Sequence, residues 1–105
     1  MIRATLHLKI RAGRELEFRR AWKDVAAEVS RLPGSLRQSL TRSERDPSTF
    51  TITSDWMDEE SFRAFERSAE QDALTAKLRA LRESASMTVD DLVAHVDGEA
   101  ATWPR

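Results

Sequence analysis

The chain has 105 residues, 17 of them basic and 18 acidic, for a formal net charge of -1, and it contains no cysteine. That length holds one domain able to bury roughly 65% of its unfolded surface without covalent staples, while the lack of cysteine excludes disulfides, thiolate metal sites and cysteine nucleophiles. The balanced charge leaves no electrostatic footprint for nucleic acid or an anionic membrane, and residues 1–20 lack the continuous apolar run of a signal peptide or membrane span, which points to the cytoplasm.

At the start, Ile2, Ala4, Leu6, Leu8 and Ile10 alternate with Arg3, Thr5, His7, Lys9 and Arg11, the period of a strand with one buried face. Ala12-Gly13 ends it. Over residues 14–32, Phe18, Trp22, Val25 and Val29 recur at steps of four, three and four, which draws one stripe along an amphipathic helix. Pro33-Gly34 stops that helix. Leu36, Gln38 and Leu40 then alternate with Arg37, Ser39 and Thr41, and Arg45-Asp46-Pro47-Ser48 is a turn, so this second strand forms a hairpin with the one that follows.

In the third strand Phe50, Ile52, Ser54 and Trp56 point one way and Thr49, Thr51, Thr53 and Asp55 the other. Asp58 begins a helix as N-cap, Glu59 and Glu60 place negative charge at the positive end of its dipole, and Phe62 and Phe65 share a face. A large indole is thereby delivered to the seam between sheet and helix. After a break at residues 68–72, Leu74, Leu78 and Leu81 mark a further helix. Residues 87–96 read as the last strand, with Asp90-Asp91 as a bulge that turns Leu92, Ala94 and Val96 inward. Residues 1–97 form the domain on this reading. Residues 98–105, with Trp103, form a loosely held tail.

The order strand, helix, strand, strand, helices, strand is that of two split β-α-β units, an α+β, ferredoxin-like βαββαβ domain with a four-stranded antiparallel sheet covered on one face by helices. Arg3, Thr5, His7, Arg37, Ser39, Thr41, Thr51 and Thr53 then line the uncovered face, whose β-branched composition suits packing against a second copy in a homodimer. His7 and His95 are the only histidines, and without a third ligand they make no metal site. No nucleophile elbow and no glycine-rich phosphate loop occurs. Asp58, Glu59 and Glu60 serve helix capping, and Arg63 and Arg67, four apart, share a solvated face.

The run Pro33-Gly34-Ser35-Leu36-Arg37-Gln38, the Asp46-Pro47 turn, and the segment from Phe50 through Trp56 to Phe62-Arg63-Ala64-Phe65-Glu66-Arg67-Ser68 together resemble the antibiotic biosynthesis monooxygenase family of dimeric α+β barrels. The resemblance implies two ferredoxin-like subunits paired through their sheets, each with a pocket between its sheet and its own helices. It also implies a monooxygenase that uses molecular oxygen without metal or flavin on a flat aromatic, polyketide or anthrone-like substrate, which once deprotonated passes an electron to oxygen itself. Trp56 matches the family's tryptophan at this strand end, and its indole N–H would bond a substrate oxygen.

Elsewhere the chain departs from the oxidising members. Ile52 stands where they have asparagine, Phe62 where they have tyrosine, and their helix arginine falls ambiguously near Thr75 or Lys77. Phe65 replaces a histidine common in the wider family, and Leu6 the strand-one asparagine of the haem-degrading branch, which disfavours haem. Two functions stay open. One is a cofactor-independent oxygenase in which Trp56 orients the substrate and Trp22, Phe18, Ile52, Phe62, Phe65 and Leu78 form the pocket wall. The other is a non-catalytic dimeric domain that binds a hydrophobic small molecule.

Overall fold

The computed structural model of the chain describes residues 1–98, so the expectation for Trp103 lies outside the described residues. The elements run β1 (Ile2–Ile10), α1 (Glu15–Val29), β2 (Ser35–Arg42), β3 (Thr49–Trp56), α2 (Glu59–Arg67), α3 (Ala69–Leu81) and β4 (Arg82–Asp91). The four strands make one antiparallel sheet in the order β2-β3-β1-β4. This is the ferredoxin-like arrangement, with two helices in its second crossover. None of the described helices is long and apolar enough to cross a membrane.

One sheet face and the helices share a core. Ile2, Ala4, Leu8 and Ile10 of β1 and Phe50 and Trp56 of β3 are buried with Phe18, Ala21, Val25 and Val29 of α1, Phe62 of α2, and Leu78 and Leu81 of α3. The helix stripes read from the sequence are the faces that lie on the sheet. Helix α1 ends at Val29, and Gly34 then takes a left-handed φ of 83°, which lets the chain turn into β2. The Gly34 carbonyl accepts a hydrogen bond from the Met57 N–H at 2.8 Å, fastening the start of β2 to the residue after Trp56. Asp58 caps α2 by accepting from the Ser61 N–H at 2.8 Å, and that bond holds its carboxyl below its usual pKa.

Two boundaries differ from the sequence reading. Only Ser68 separates α2 from α3, instead of a break over residues 68–72. The last strand is Arg82–Asp91, not residues 87–96, and its partners on β1 run from Ile10 opposite Arg82 to Ile2 opposite Asp91. A strand beginning directly at the end of α3 uses up the whole of β1. Beyond Leu92, whose N–H reaches the Met1 carbonyl at 2.8 Å, β1 offers no further partner. Val93 and Val96 are accordingly 91% and 90% exposed, and the inward positions are Ala85, Met87 and Val89, opposite Leu8, Leu6 and Ala4. The irregularity in this ladder lies between Lys9 and Ile10, not at Asp90-Asp91.

On the face away from the helices, Asp55 is flanked in register by Arg3 of β1 and Arg37 of β2. Its side chain is fully buried under the two guanidinium groups: Arg3 Nε and Nη2 donate at 2.7 and 2.9 Å and Arg37 Nη1 at 2.7 Å. Much of the rest of this face is hydroxyl-bearing, with Thr5 opposite Thr53 and Thr88, Ser39 opposite Thr53, and His7 Nδ1 3.1 Å from Thr51 Oγ1, while Asp90 of β4 stands opposite Arg3. His7 lies opposite Ser86 while His95 follows the far end of β4, so the neighbouring strands keep the two histidines apart.

Candidate functional site

Beside Trp56, between sheet and helices, is an apolar cavity of about 220 Å³. All four strands contribute to its floor: Gln38 from β2, Ile52 and Ser54 from β3, Ala4 and Leu6 from β1, and Met87 from β4. Trp22, Val25 and Val29 of α1, Phe62 and Phe65 of α2, and Thr75 and Leu78 of α3 close it from the helix side. Strand residues two apart share a face, and ladder partners stand side by side. Gln38, Ser54, Ala4 and Val89 therefore form one row across the sheet, and Leu40, Ile52, Leu6 and Met87 the next.

Trp56 is 1% exposed, and its ring stacks on Phe65 at 5.1 Å and packs at a tilt on Phe62 at 6.0 Å. Its indole N–H donates to Ser54 Oγ at 3.1 Å, a partner on its own strand and not the open space. Phe65 also lines a second, larger groove of about 460 Å³, with Leu32, Pro33 and Leu74 and the acidic Glu28, Asp58 and Glu60. Its ring belongs to both spaces.

Of the residues singled out in the sequence, Trp56, Trp22, Ile52, Phe62, Phe65 and Leu78 line the cavity together. Phe18 does not. It is 0% exposed and packs against Phe50, ring centroids 5.0 Å apart, toward the Leu8 end of the sheet. It shares the α1 stripe with Trp22 but sits one turn earlier, over the solid core. Arg63, read as a solvated group, bonds Glu66 at 2.6 Å and lies over the Phe62 ring at 5.2 Å.

The sequence reading passed over Gln38 and Ser54 as site residues. Both are polar positions in otherwise apolar inward-facing sets, and that was the available signal. The Gln38 side chain donates from Nε2 to the Ala26 carbonyl at 3.0 Å. Glu66 is the only acidic residue on the lining among the described residues, and it is ion-paired with Arg63. Among the described residues no group of three metal-ligating side chains occurs.

A family model described as antibiotic biosynthesis monooxygenase matches residues 1–86. The chain belongs to the antibiotic biosynthesis monooxygenase family. Its fold is similar to that of SnoaB, a cofactor-independent oxygenase from Streptomyces nogalater, with a TM-score of 0.81 at 20% identity over 92% of this chain and 97% of that one. A putative antibiotic biosynthesis monooxygenase from Nitrosomonas europaea gives 0.79 at 15% identity, covering 90% and 100% of the two chains. Another from Deinococcus radiodurans gives 0.80 at 15%, covering 92% and 97%. These likenesses show the shared ferredoxin-like α+β fold. No curated protein matches the chain in sequence.

Ile52 on the floor and Phe62 on the wall both present hydrocarbon to the cavity. The polar groups that remain around the space are Ser54 and Gln38 on the floor and Thr75 and Glu66 at the helix side. Thr75 accepts a hydrogen bond from Arg79.

Proposed function

We propose that this family member is a cofactor-independent monooxygenase that oxidises a small, flat aromatic substrate with molecular oxygen in the cavity beside Trp56. One observation carries the reading: the space next to the indole is open, apolar and walled by rings, instead of being filled by side chains. At about 220 Å³ it lies just under the ~300 Å³ at which sites for drug-sized ligands begin, which favours a compact ring system over a long-chain ligand. Trp22, Phe62 and Phe65 would hold its faces and Trp56 its edge.

The chemistry asks little of the protein beyond position. An anthrone-type methylene gives up a proton to solvent on entering, since no free base lines the cavity among the described residues, and the resulting carbanion is delocalised onto its ring oxygen. One electron passes to dioxygen, the carbon radical and superoxide combine, and the peroxide takes up a proton. Loss of water from that hydroperoxide, with departure of the remaining C–H proton, leaves a carbonyl. Dioxygen is the oxidant, and one of its atoms ends in product and the other in water. A dry, preorganised cavity favours the charge-delocalised anion.

A homodimer paired through the outer sheet face belongs to the same proposal, and the row of Arg37, Asp55 and Arg3 with its surrounding threonines is the surface that would pair. A second reading, binding without turnover, is favoured by one observation: the only carboxylate on the lining, Glu66, is tied to Arg63, so no free base faces the cavity among the described residues. Oxygen uptake and quinone formation from an anthrone decide between the two. Turnover lost in Trp56→Ala supports the oxygenase. Fluorescence quenching by the anthrone without oxygen uptake supports the binding domain.

A further inference from the structure

We propose that Ser54 and Gln38 form a two-donor seat for a carbonyl or phenolate oxygen of the bound aromatic, and that Trp56 is a positioning residue that acts through Ser54. The inference rests on the cavity being the ligand site, and it changes which atoms touch the ligand. An indole N–H can only donate, so in the 3.1 Å contact Ser54 Oγ must be the acceptor. A hydroxyl that accepts still has its own proton to give. No acceptor for that proton is found among the described hydrogen bonds of Ser54, and Ser54 is part of the cavity floor. The N–H pointing into Oγ also polarises the hydroxyl and makes it a stronger donor.

Gln38 is the ladder partner of Ser54 on β2. Its amide orientation is fixed chemically, because the group 3.0 Å from the Ala26 carbonyl has to be the NH₂. One of the two amide protons is used there, and the other remains for a ligand. On the opposite side of Ser54, on β1, stands Ala4, the smallest side chain on the floor. Leu6, Ile52, Val25 and Leu78 supply hydrocarbon around them, with Thr75 and the ion-paired Glu66 at the helix side.

Two neutral donors at the end of an apolar slot recognise one kind of group, an acceptor oxygen on the edge of a flat ring. Among the described residues no arginine or lysine lines the cavity and Glu66 is ion-paired with Arg63, so negative charge developing on that oxygen would be met by these neutral donors, as in an oxyanion hole. The ligand class is therefore a fused aromatic with a keto or phenolic oxygen at its rim. A ring hydrocarbon without oxygen leaves both donors unmet and should bind more weakly.

The test uses 1,8-dihydroxyanthraquinone, whose phenol and phenolate forms differ in visible absorption, with the full-length chain and its Ser54→Ala, Ser54→Thr, Gln38→Leu and Trp56→Phe variants. On the wild type the probe should bind with quenching of tryptophan fluorescence. Ser54→Ala should weaken binding about tenfold, and the bound phenol should titrate about one pH unit higher on it than on the wild type, a comparison in which the desolvation of the apolar cavity, which by itself raises a phenol's pKa, is common to both. Ser54→Thr, which keeps the hydroxyl, should keep the wild-type value. Gln38→Leu and Trp56→Phe should each raise it in part. Equal affinity and an unchanged bound spectrum in Ser54→Ala would overturn the seat while leaving the cavity reading intact. If that variant does not fold, the same result in Gln38→Leu overturns it. A wild type that does not bind the probe overturns the cavity reading, and the seat with it.

Discussion

Arg3 and Asp55 face each other across β1 and β3 as a two-pronged ion pair, Nε to Oδ1 at 2.7 Å and Nη2 to Oδ2 at 2.9 Å, on the side of the sheet away from the helices. Arg37 closes the same carboxylate from β2. The hydrogen bond from Arg3 holds the Asp55 carboxyl below its ordinary pKa, against the opposing effect of burial and with further help from Arg37. Removing the carboxylate by Asp55→Ala leaves two adjacent guanidiniums repelling each other. We expect a loss of about 2–3 kcal/mol, below the ~3–5 for wholly buried pairs because Arg3 and Arg37 stay 37% and 40% exposed. Urea unfolding measures it, and a loss under about 0.5 kcal/mol would show the network to be ornamental.

Asp46 should give the chain a pH-dependent brace. Its carboxylate takes Lys9 Nζ at 2.5 Å, Thr49 Oγ1 at 2.8 Å and the Ser48 N–H at 3.0 Å, tying the hairpin turn to β1. These bonds, that from Lys9 first, lower its pKa from 3.8 to about 2. A depressed carboxylate pKa stabilises above the unfolded value and is lost as protons bind the folded form. The stabilities of wild type and Asp46→Asn should differ by a constant amount above pH ~5 and converge as pH falls from about 4 to about 2. Denaturation at stepped pH tests this, and curves parallel throughout that range would contradict it.

Gly34 is irreplaceable on two counts. Its φ of 83° is unfavourable for any residue with a β-carbon, and a β-carbon there would overlap both Cβ and Oγ of Ser61. Gly34→Ala should cost about 2–4 kcal/mol, combining left-handed strain with overpacking. Ser61→Gly in the same chain should recover part of this by removing the overlap but not the strain. Thermal unfolding of the single and double variants separates the two contributions. No recovery would mean that the overlap is relieved by backbone movement.

Filling the cavity should separate ligand binding from folding. Ala4 sits in the middle of β1 with its side chain on the cavity floor. Ala4→Leu adds three carbons toward empty space, so stability should stay within about 1 kcal/mol of wild type, whereas quenching of tryptophan fluorescence by a hydroxyanthraquinone should vanish. Phe62→Ala is the contrast: a ring only 2% exposed is lost, with a cost of about 3–5 kcal/mol. Full binding by Ala4→Leu would place the ligand elsewhere.

How much was legible in the sequence depended on whether a feature is local. β1 and β3 were readable because their inward sets are almost wholly apolar, and the start of α2 because Asp58 is a strong cap. β4 was misplaced because its first half is Arg82-Glu83-Ser84-Ala85-Ser86, with little apolar alternation. The more strand-like Leu92-Val93-Ala94-His95-Val96 simply runs past the end of its partner. The aromatic wall could be read from helical spacing, yet spacing alone does not distinguish Phe18 over Phe50 from Trp22 over the cavity. The pairs Gln38–Ser54 and Arg3–Asp55–Arg37 need the register between strands, which a single chain of letters does not state.

Asp55 and Trp56 are consecutive residues of β3 with side chains on opposite faces, one gripped by the arginines and the other bordering the cavity. If a second copy covers the arginine side, its grip fixes the peptide that carries the indole. Self-association and ligand affinity then become linked quantities: dilution to monomer should loosen ligand binding, and saturating ligand should lower the concentration at which two chains pair by the square of that factor, because each pair carries two sites.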